Sequence, residues 1–340
     1  MTSSRSHFTV IKFMLVLLAL SMVAAACSDS DSGSSTTQSE TATTVSADPK
    51  AQSETATTVS ADPKAEWPDP VIFALLPTED AEVLTEEFKP FVSYMNNCLD
   101  TPVEAFVAVN YTAVIEAMRF GNAHVMRVGP FAYTLAHERA GAEAIVLPTG
   151  NKDNPTYRSE IITLERYGFN ELSDLEGATF AFVDPASSSG YMYPRQMLLE
   201  EFGLANDEID DWFGDVVFSG GHAASIVSVL NGDVQAAAVA SVNATKDGEY
   251  DDHPNWGEYQ ILAETREIPG TVEAIQGDLP ASLREALTAC YLGIIDDPSM
   301  TEFLAGLGAT DGYILTNDAA YDIVRDTAAA LGLDPATLLK

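Results

Sequence analysis

VIFALLPTEDAEVLTEEFKPFVSYMNNCLDTPVEAFVAVNYTAVIEAMRFGNAHVMRV, residues 71–128, alternates short apolar runs with stretches of helical periodicity. The runs at 71–76, 103–108 and 124–128 have the length and β-branched content of strands. Between them, residues 81–97 and 111–120 carry apolar side chains at helical spacing. The order β-α-β-α-β predicts a parallel-rich sheet covered by helices. In such folds each strand-to-helix junction opens at the carboxyl edge of the sheet, where ligands bind.

A second unit begins near Arg158. Strand-like runs at 161–164, 179–183, 215–218 and 234–239 enclose helical stretches at 193–202 and 222–231. After about Glu264 the pattern is mostly helical, with helices expected at 280–295, 299–307 and 318–331. Two α/β units with a helical tail predict two lobes around a cleft, the usual place for a small ligand. The expected division is 67–157 with 263–340 for lobe 1 and 158–262 for lobe 2.

The chain opens on an export signal at residues 1–26. Arg5, His7 and Lys12 flank the apolar run 13–20, which closes on Ala24, Ala25, Ala26 and Cys27. That ending resembles a bacterial lipobox, which makes Cys27 the lipidated first residue of the mature chain; ordinary signal cleavage nearby is the alternative. Residues 27–66 hold almost no large apolar side chains, and QSETATTVSADPKA at 38–51 recurs unchanged at 52–65. Such a segment cannot bury a core and reads as a tether. The expected location is outside the cytoplasm, periplasmic or anchored to the outer face of the cell membrane.

The formal net charge is -34, from 51 acidic and 17 basic side chains. That surface repels nucleic acid and anionic headgroups, and it suits a protein kept soluble at high salt. Cys98 and Cys290 lie far apart and either form one disulfide outside the cytoplasm or are separate small apolar residues.

Chemistry concentrates at two junctions. FVDPASSSGYMYP, residues 182–194, runs from a strand into a helix through Ser187, Ser188 and Ser189. Small hydroxyl residues before a helix offer Oγ donors and free N–H groups to an anion, or simply cap the helix. FSGGH, residues 218–222, repeats the arrangement and ends on His222, a further donor or a solvated cap residue. Neutral dipoles of this kind let an acidic protein hold an anion without a lysine cluster. Arg119, Arg127, Arg158 and Arg195 stay unassigned, since each fits a surface charge or a structural pair. Neither a P-loop, a Gly-x-Ser-x-Gly elbow nor a paired-cysteine metal site occurs. A hydrolytic triad of Ser188, His222 and an acid is the remaining enzymatic alternative, and no cofactor is implied.

These motifs, in order, resemble the phosphate/phosphite/phosphonate-binding family of ABC-transporter substrate-binding proteins. The likeness spans residues 71–312 and rests on the segments 110–121, 128–133, 184–190, 219–222 and 268–270. It implies a type II periplasmic-binding-protein fold, α/β, with two lobes that close on a hinge around the cleft. It also implies a monomer that delivers a small oxyanion to a membrane permease with its ATPase. By the same resemblance Ser187, Ser188 and Ser189 grip the oxyanion, His222 donates, and Tyr111 closes from the opposite lobe. Tyr133 and Phe131 lie nearby with a weaker claim, since an aromatic there also suits a core.

Family members that take aminoalkyl phosphonates meet the ammonium with carboxylates. Here 240–243 (ASVN) and Thr271-Val272 supply none, Ala223 follows the histidine, and Glu273 is the nearest acid. An unpaired buried ammonium costs several kcal/mol, so the expected ligand is phosphite, phosphate or methylphosphonate. A receptor that senses rather than transports, or one for another small anion such as sulfate or a carboxylate, is the alternative.

Overall fold

The computed structural model describes residues 62–244, 249–333 and 338. The export signal, Cys27 and the repeat-bearing segment through residue 61 lie outside the described residues.

The first half of the fold is β1 (Val71–Leu75), α1 (Ala81–Leu99), β2 (Val103–Val107), α2 (Tyr111–Arg119), β3 (Val125–Val128), α3 (Pro130–Ala140) and β4 (Ala142–Pro148). The chain then crosses through the two-residue β5 (Thr156–Tyr157) into β6 (Ser159–Leu164), β7 (Thr179–Phe182) and α4 (Tyr193–Phe202). Next come α5 (Ile209–Trp212), β8 (Asp215–Phe218), α6 (His222–Asn231), β9 (Ala236–Ala240), α7 (Ser241–Ala244) and β10 (Tyr259–Glu264). It returns through β11 (Ile268–Pro269), which pairs with β5, to β12 (Val272–Gln276), α8 (Ala281–Gly293), α9 (Thr301–Gly306), β13 (Tyr313–Leu315) and α10 (Asp322–Ala330).

Two sheets result, ordered β13-β4-β12-β3-β1-β2 and β10-β6-β9-β7-β8. Each anchors one α/β lobe. The expectation of parallel-rich sheets is corrected: β1 is parallel to β2 and β3, but β12 runs antiparallel between β3 and β4. In the second sheet β6 is antiparallel to both β9 and β10. The tail after Glu264 is mostly helical as expected, with α8, α9 and α10 falling in the three expected stretches, but it also supplies β12 and β13, which the sequence pattern did not show. YIL in β13 is too short to carry a strand pattern and VEAIQ in β12 is broken by polar residues, so both take their order from pairing with strands over a hundred residues away.

Local chemistry sets the helix starts that matter for the site. The Asp80 carboxylate accepts from the Glu82 and Val83 amides and caps α1. The Asn110 side chain accepts from the Ala113 amide at 2.8 Å and caps α2. Burial on both faces of β1, and of all six residues of β6, follows from helices covering the sheets. One apolar cluster runs from Tyr111 and Phe131 in the first lobe to Phe182 and Met192 in the second, so the lobes share a core beside the cleft. Cys98 of α1 and Cys290 of α8 are joined by a disulfide. No described helix is long and apolar enough to cross a membrane.

Candidate ligand-binding site

The serine loop is held by its own backbone economy. After β7, the Asp184 carboxylate accepts from the Ala186 amide and its carbonyl from the Ser187 amide, both at 2.8 Å. Ser187 Oγ then accepts from the Gly190 amide at 2.9 Å, capping a π-helical turn, Ser188–Met192, that leads into α4. Gly190 is required here: a Cβ would sit 2.4 Å from Val183 Cβ and Cγ2. Pro194 occupies the first turn of α4, where a missing N–H costs nothing. The Ser159 hydroxyl donates to the Ser189 carbonyl, tying the loop to β6.

The loop faces a cavity of about 570 Å³. Ser187, Ser188, Ser189, His222 and Tyr111 all line it, so the structure brings together five of the residues expected from sequence. The Ala240 amide donates to His222 Nδ1 at 3.1 Å, which puts the imidazole proton on Nε2. Burial lowers the His222 pKa to about 4, so the ring is neutral at ordinary pH and offers one N–H. Burial likewise pushes the Tyr111 hydroxyl above the usual phenol range, against the influence of its hydrogen bond with Ser187. These groups are hydrogen-bond donors that carry no charge.

Two expected contacts are corrected. The rings of Phe131 and Tyr133 do not reach the cavity; both are fully buried in the shared core. The Tyr133 hydroxyl donates to Asp318 at 2.8 Å and its ring packs on Tyr321, 4.8 Å between centroids. The turn before α3 still meets the serine loop through its backbone, the Phe131 amide donating to Ser188 Oγ at 2.8 Å, while the two rings pack into the core.

Sequence reasoning missed Tyr157. It lines the cavity, and its hydroxyl interacts with those of Ser189 and Ser188 while burial raises its pKa to about 12. A two-residue strand has no periodicity to read, and an isolated Thr-Tyr pair gave no signal. Of the four arginines, Arg127 lines the cavity and also pairs with Glu273 at 2.8 Å. Arg119, Arg158 and Arg195 pair with Glu116, Glu267 and Asp210 and lie outside the lining. Among the described residues no cluster of three or more His, Cys, Asp or Glu side chains is placed to hold a metal.

Two α/β lobes around a cleft lined with neutral donors define a binding protein for a small polar solute. Residues 73–321 match the family described as ABC transporter, phosphonate, periplasmic substrate-binding protein, and the chain belongs to that family. It is 28% identical over 271 residues to the phosphate-import protein PhnD of Mycolicibacterium smegmatis, covering 77% of this chain and 83% of that one. It is also 28% identical over 178 residues to the phosphonates-binding periplasmic protein of Escherichia coli, about half of each chain at 51%. Among solved structures, a binding protein component of an ABC phosphonate transporter from Pseudomonas aeruginosa has a TM-score of 0.71 at 20% identity, covering 78% of this chain and 87% of that one. PhnD1 of Prochlorococcus marinus in complex with methylphosphonate has a TM-score of 0.68 at 19% identity, covering 80% of this chain and all of that one, 100%. These likenesses carry the two-lobed type II periplasmic-binding fold. The chain is a substrate-binding protein of the phosphonate/phosphate ABC-transporter type.

Proposed function

We propose that this chain is the lipid-anchored, monomeric receptor of an importer for a phosphorus oxyanion that bears no amine: phosphite, phosphate or methylphosphonate. Ser187, Ser188, Ser189 and His222 grip the oxyanion from one lobe, with Tyr111 from the other and Tyr157 at the crossing. Cys27 anchors the chain outside the cytoplasm, and the permease and its ATPase receive the ligand.

The observation that carries this reading is the convergence of the serine hydroxyls, His222 and Tyr111 on one cavity as neutral donors. An oxyanion is well matched by such dipoles in a site screened from water. The nearest acid expected from sequence, Glu273, is engaged by Arg127 and by the Tyr291 and Tyr313 hydroxyls. Of the four carboxylates that the described residues bring to the lining, those of Glu86, Glu87 and Glu302 belong to exposed residues, where a pair with an ammonium contributes about 0–1 kcal/mol, and the half-buried Glu79 is the one acid that remains as a candidate to meet an ammonium. The phosphate and methylphosphonate named for the similar proteins support the ligand class.

Calorimetric titration with phosphite, phosphate, methylphosphonate and 2-aminoethylphosphonate tests the reading. The first three are expected to bind more tightly than the fourth. If the amine binds best, the amine-free assignment is wrong.

A further inference from the structure

The cavity is asymmetric in charge. Among the described residues its lining contains four carboxylates, Glu79, Glu86, Glu87 and Glu302, and a single cationic side chain, Arg127. Beside the neutral donors proposed to grip the anion, this one cation is the lining's only positive side chain among the described residues.

Its setting is specific. Arg127 is the last residue but one of β3, ahead of Val128 and Gly129, and a Cβ on Gly129 would meet Ser188 Oγ at 3.2 Å. Arg127 therefore stands two residues before the glycine that packs against the serine loop. Glu273 is directly across from it on β12, and Arg127 Nη1 donates to Glu273 Oε1 at 2.8 Å and to the Tyr313 hydroxyl at 3.3 Å. The pair is layered: Arg127 keeps 17% of its side chain accessible and lines the cavity, whereas Glu273 keeps 4% and does not. Behind Glu273, the Tyr291 and Tyr313 hydroxyls donate to its carboxylate at 3.0 and 3.3 Å. The positive end of the pair faces the ligand space, and the negative end is spread into two phenols. Burial opposes the Arg127 charge, yet Tyr313 and Glu273 outweigh it and hold its pKa above the ordinary value.

We propose that Arg127 and Glu273 form an oriented dipole that sets the cavity's affinity for an oxyanion, Arg127 attracting the ligand and Glu273 restraining that attraction. The inference rests on the oxyanion reading above. A full unit charge about 10 Å away, at an effective dielectric of about 20, changes a binding constant on the order of tenfold. Two opposite charges a few ångströms apart nearly cancel at that range, so neutralising either one unmasks the other. A lone arginine would bind the anion more strongly but would lose the partner that makes burial of its charge tolerable. The pair thus keeps a cation at the cavity wall and limits how tightly the ligand is held, as a receptor that must release its cargo requires.

The experiment is calorimetry on the full chain with phosphite, inorganic phosphate and methylphosphonate, comparing wild type with E273Q, R127Q, R127K and the double variant R127Q/E273Q, alongside thermal melts. E273Q is expected to tighten binding several-fold, roughly up to tenfold, and R127Q to weaken it by a similar factor. R127K is expected to recover most of the R127Q loss, and the double variant to return to within about threefold of wild type. A purely structural pair would instead weaken binding whichever partner is changed. If R127Q does not fold, E273Q and R127K decide between the two outcomes. Wild type binding none of the anions overturns the oxyanion reading and this inference together. Wild type binding them with E273Q unchanged or weaker overturns the inference alone.

Discussion

The Ser188 hydroxyl, on the loop that follows β7, accepts a 2.8 Å hydrogen bond from the Phe131 amide at the start of α3 in the opposite lobe. One of the proposed ligand donors is therefore oriented by the facing lobe, because accepting from Phe131 leaves its own proton to point elsewhere. Ligand grip and lobe contact share an atom.

Replacing Ser188 by alanine removes a donor and leaves the buried Phe131 amide without its partner. Each loss is worth about 1–3 kcal/mol. Calorimetry with phosphate and methylphosphonate is expected to show at least a tenfold weaker affinity, while far-ultraviolet circular dichroism stays that of the wild type. Undiminished affinity would remove Ser188 from the site.

A second contact between the lobes lies at the start of α6. The Ala223 amide donates to the Thr78 carbonyl at 3.2 Å, and a Cβ on Gly221 would stand 2.6 Å from the Pro77 carbonyl oxygen. Gly221→Ala is expected to force the lobes apart at a cost of about 1–3 kcal/mol. Stopped-flow measurement should find faster ligand release, and small-angle scattering of the ligand-loaded variant a larger radius of gyration than for the wild type. Unchanged release would mean that the contact plays no part in retention.

Glu160 of β6 is buried with Oε2 unpartnered, and its neighbour across the strands is Glu264. Burial, and then the Glu264 charge, raise its pKa to about 7. The folded chain thus keeps a proton that the unfolded chain releases above its ordinary range. The His222 contribution to stability, from a ring held neutral down to about pH 4, rises with pH up to the ring's ordinary value, while the Glu160 contribution falls as pH rises from about 4.5 to about 7 and levels off above. Glu160→Gln should abolish that slope and stabilise the protein at pH 8 by roughly 1–3 kcal/mol, read from urea denaturation at pH 5, 6, 7 and 8. A stability difference between Glu160→Gln and wild type that does not grow from pH 5 to pH 8 would contradict the assignment.

The net charge of -34 opposes the approach of an anion. Salt screens that repulsion, with a screening length near 10 Å at about 0.1 M that shortens further at higher salt. The association rate for phosphate is expected to rise several-fold between about 0.02 and 0.5 M sodium chloride, the reverse of a steered encounter. A rate that falls with salt would show that the cavity's local field, not the whole surface, governs the encounter.

Much of the candidate site was legible because it is local. Ser187, Ser188, Ser189 and Gly190 sit where a strand ends and a helix begins, and His222 opens α6 after two glycines. Residue type and spacing suffice to recognise such junctions. Tyr133 read equally well as a cleft aromatic, but its ring went to Tyr321 and its hydroxyl to Asp318, partners nearly two hundred residues away. Nothing in α3 announces that choice.

The β-α order of residues 71–128, the second unit after Arg158 and the polar segment ahead of them were determined by the sequence itself, because each follows from hydrophobic periodicity within a short window. Only the tertiary structure decided that β12 enters between β3 and β4, that Tyr157 reaches the serine loop, and that Arg127 faces the cavity with Glu273 behind it. Those outcomes depend on which distant strands pair and in what register, and a short strand acquires its neighbours only when the whole sheet closes around it.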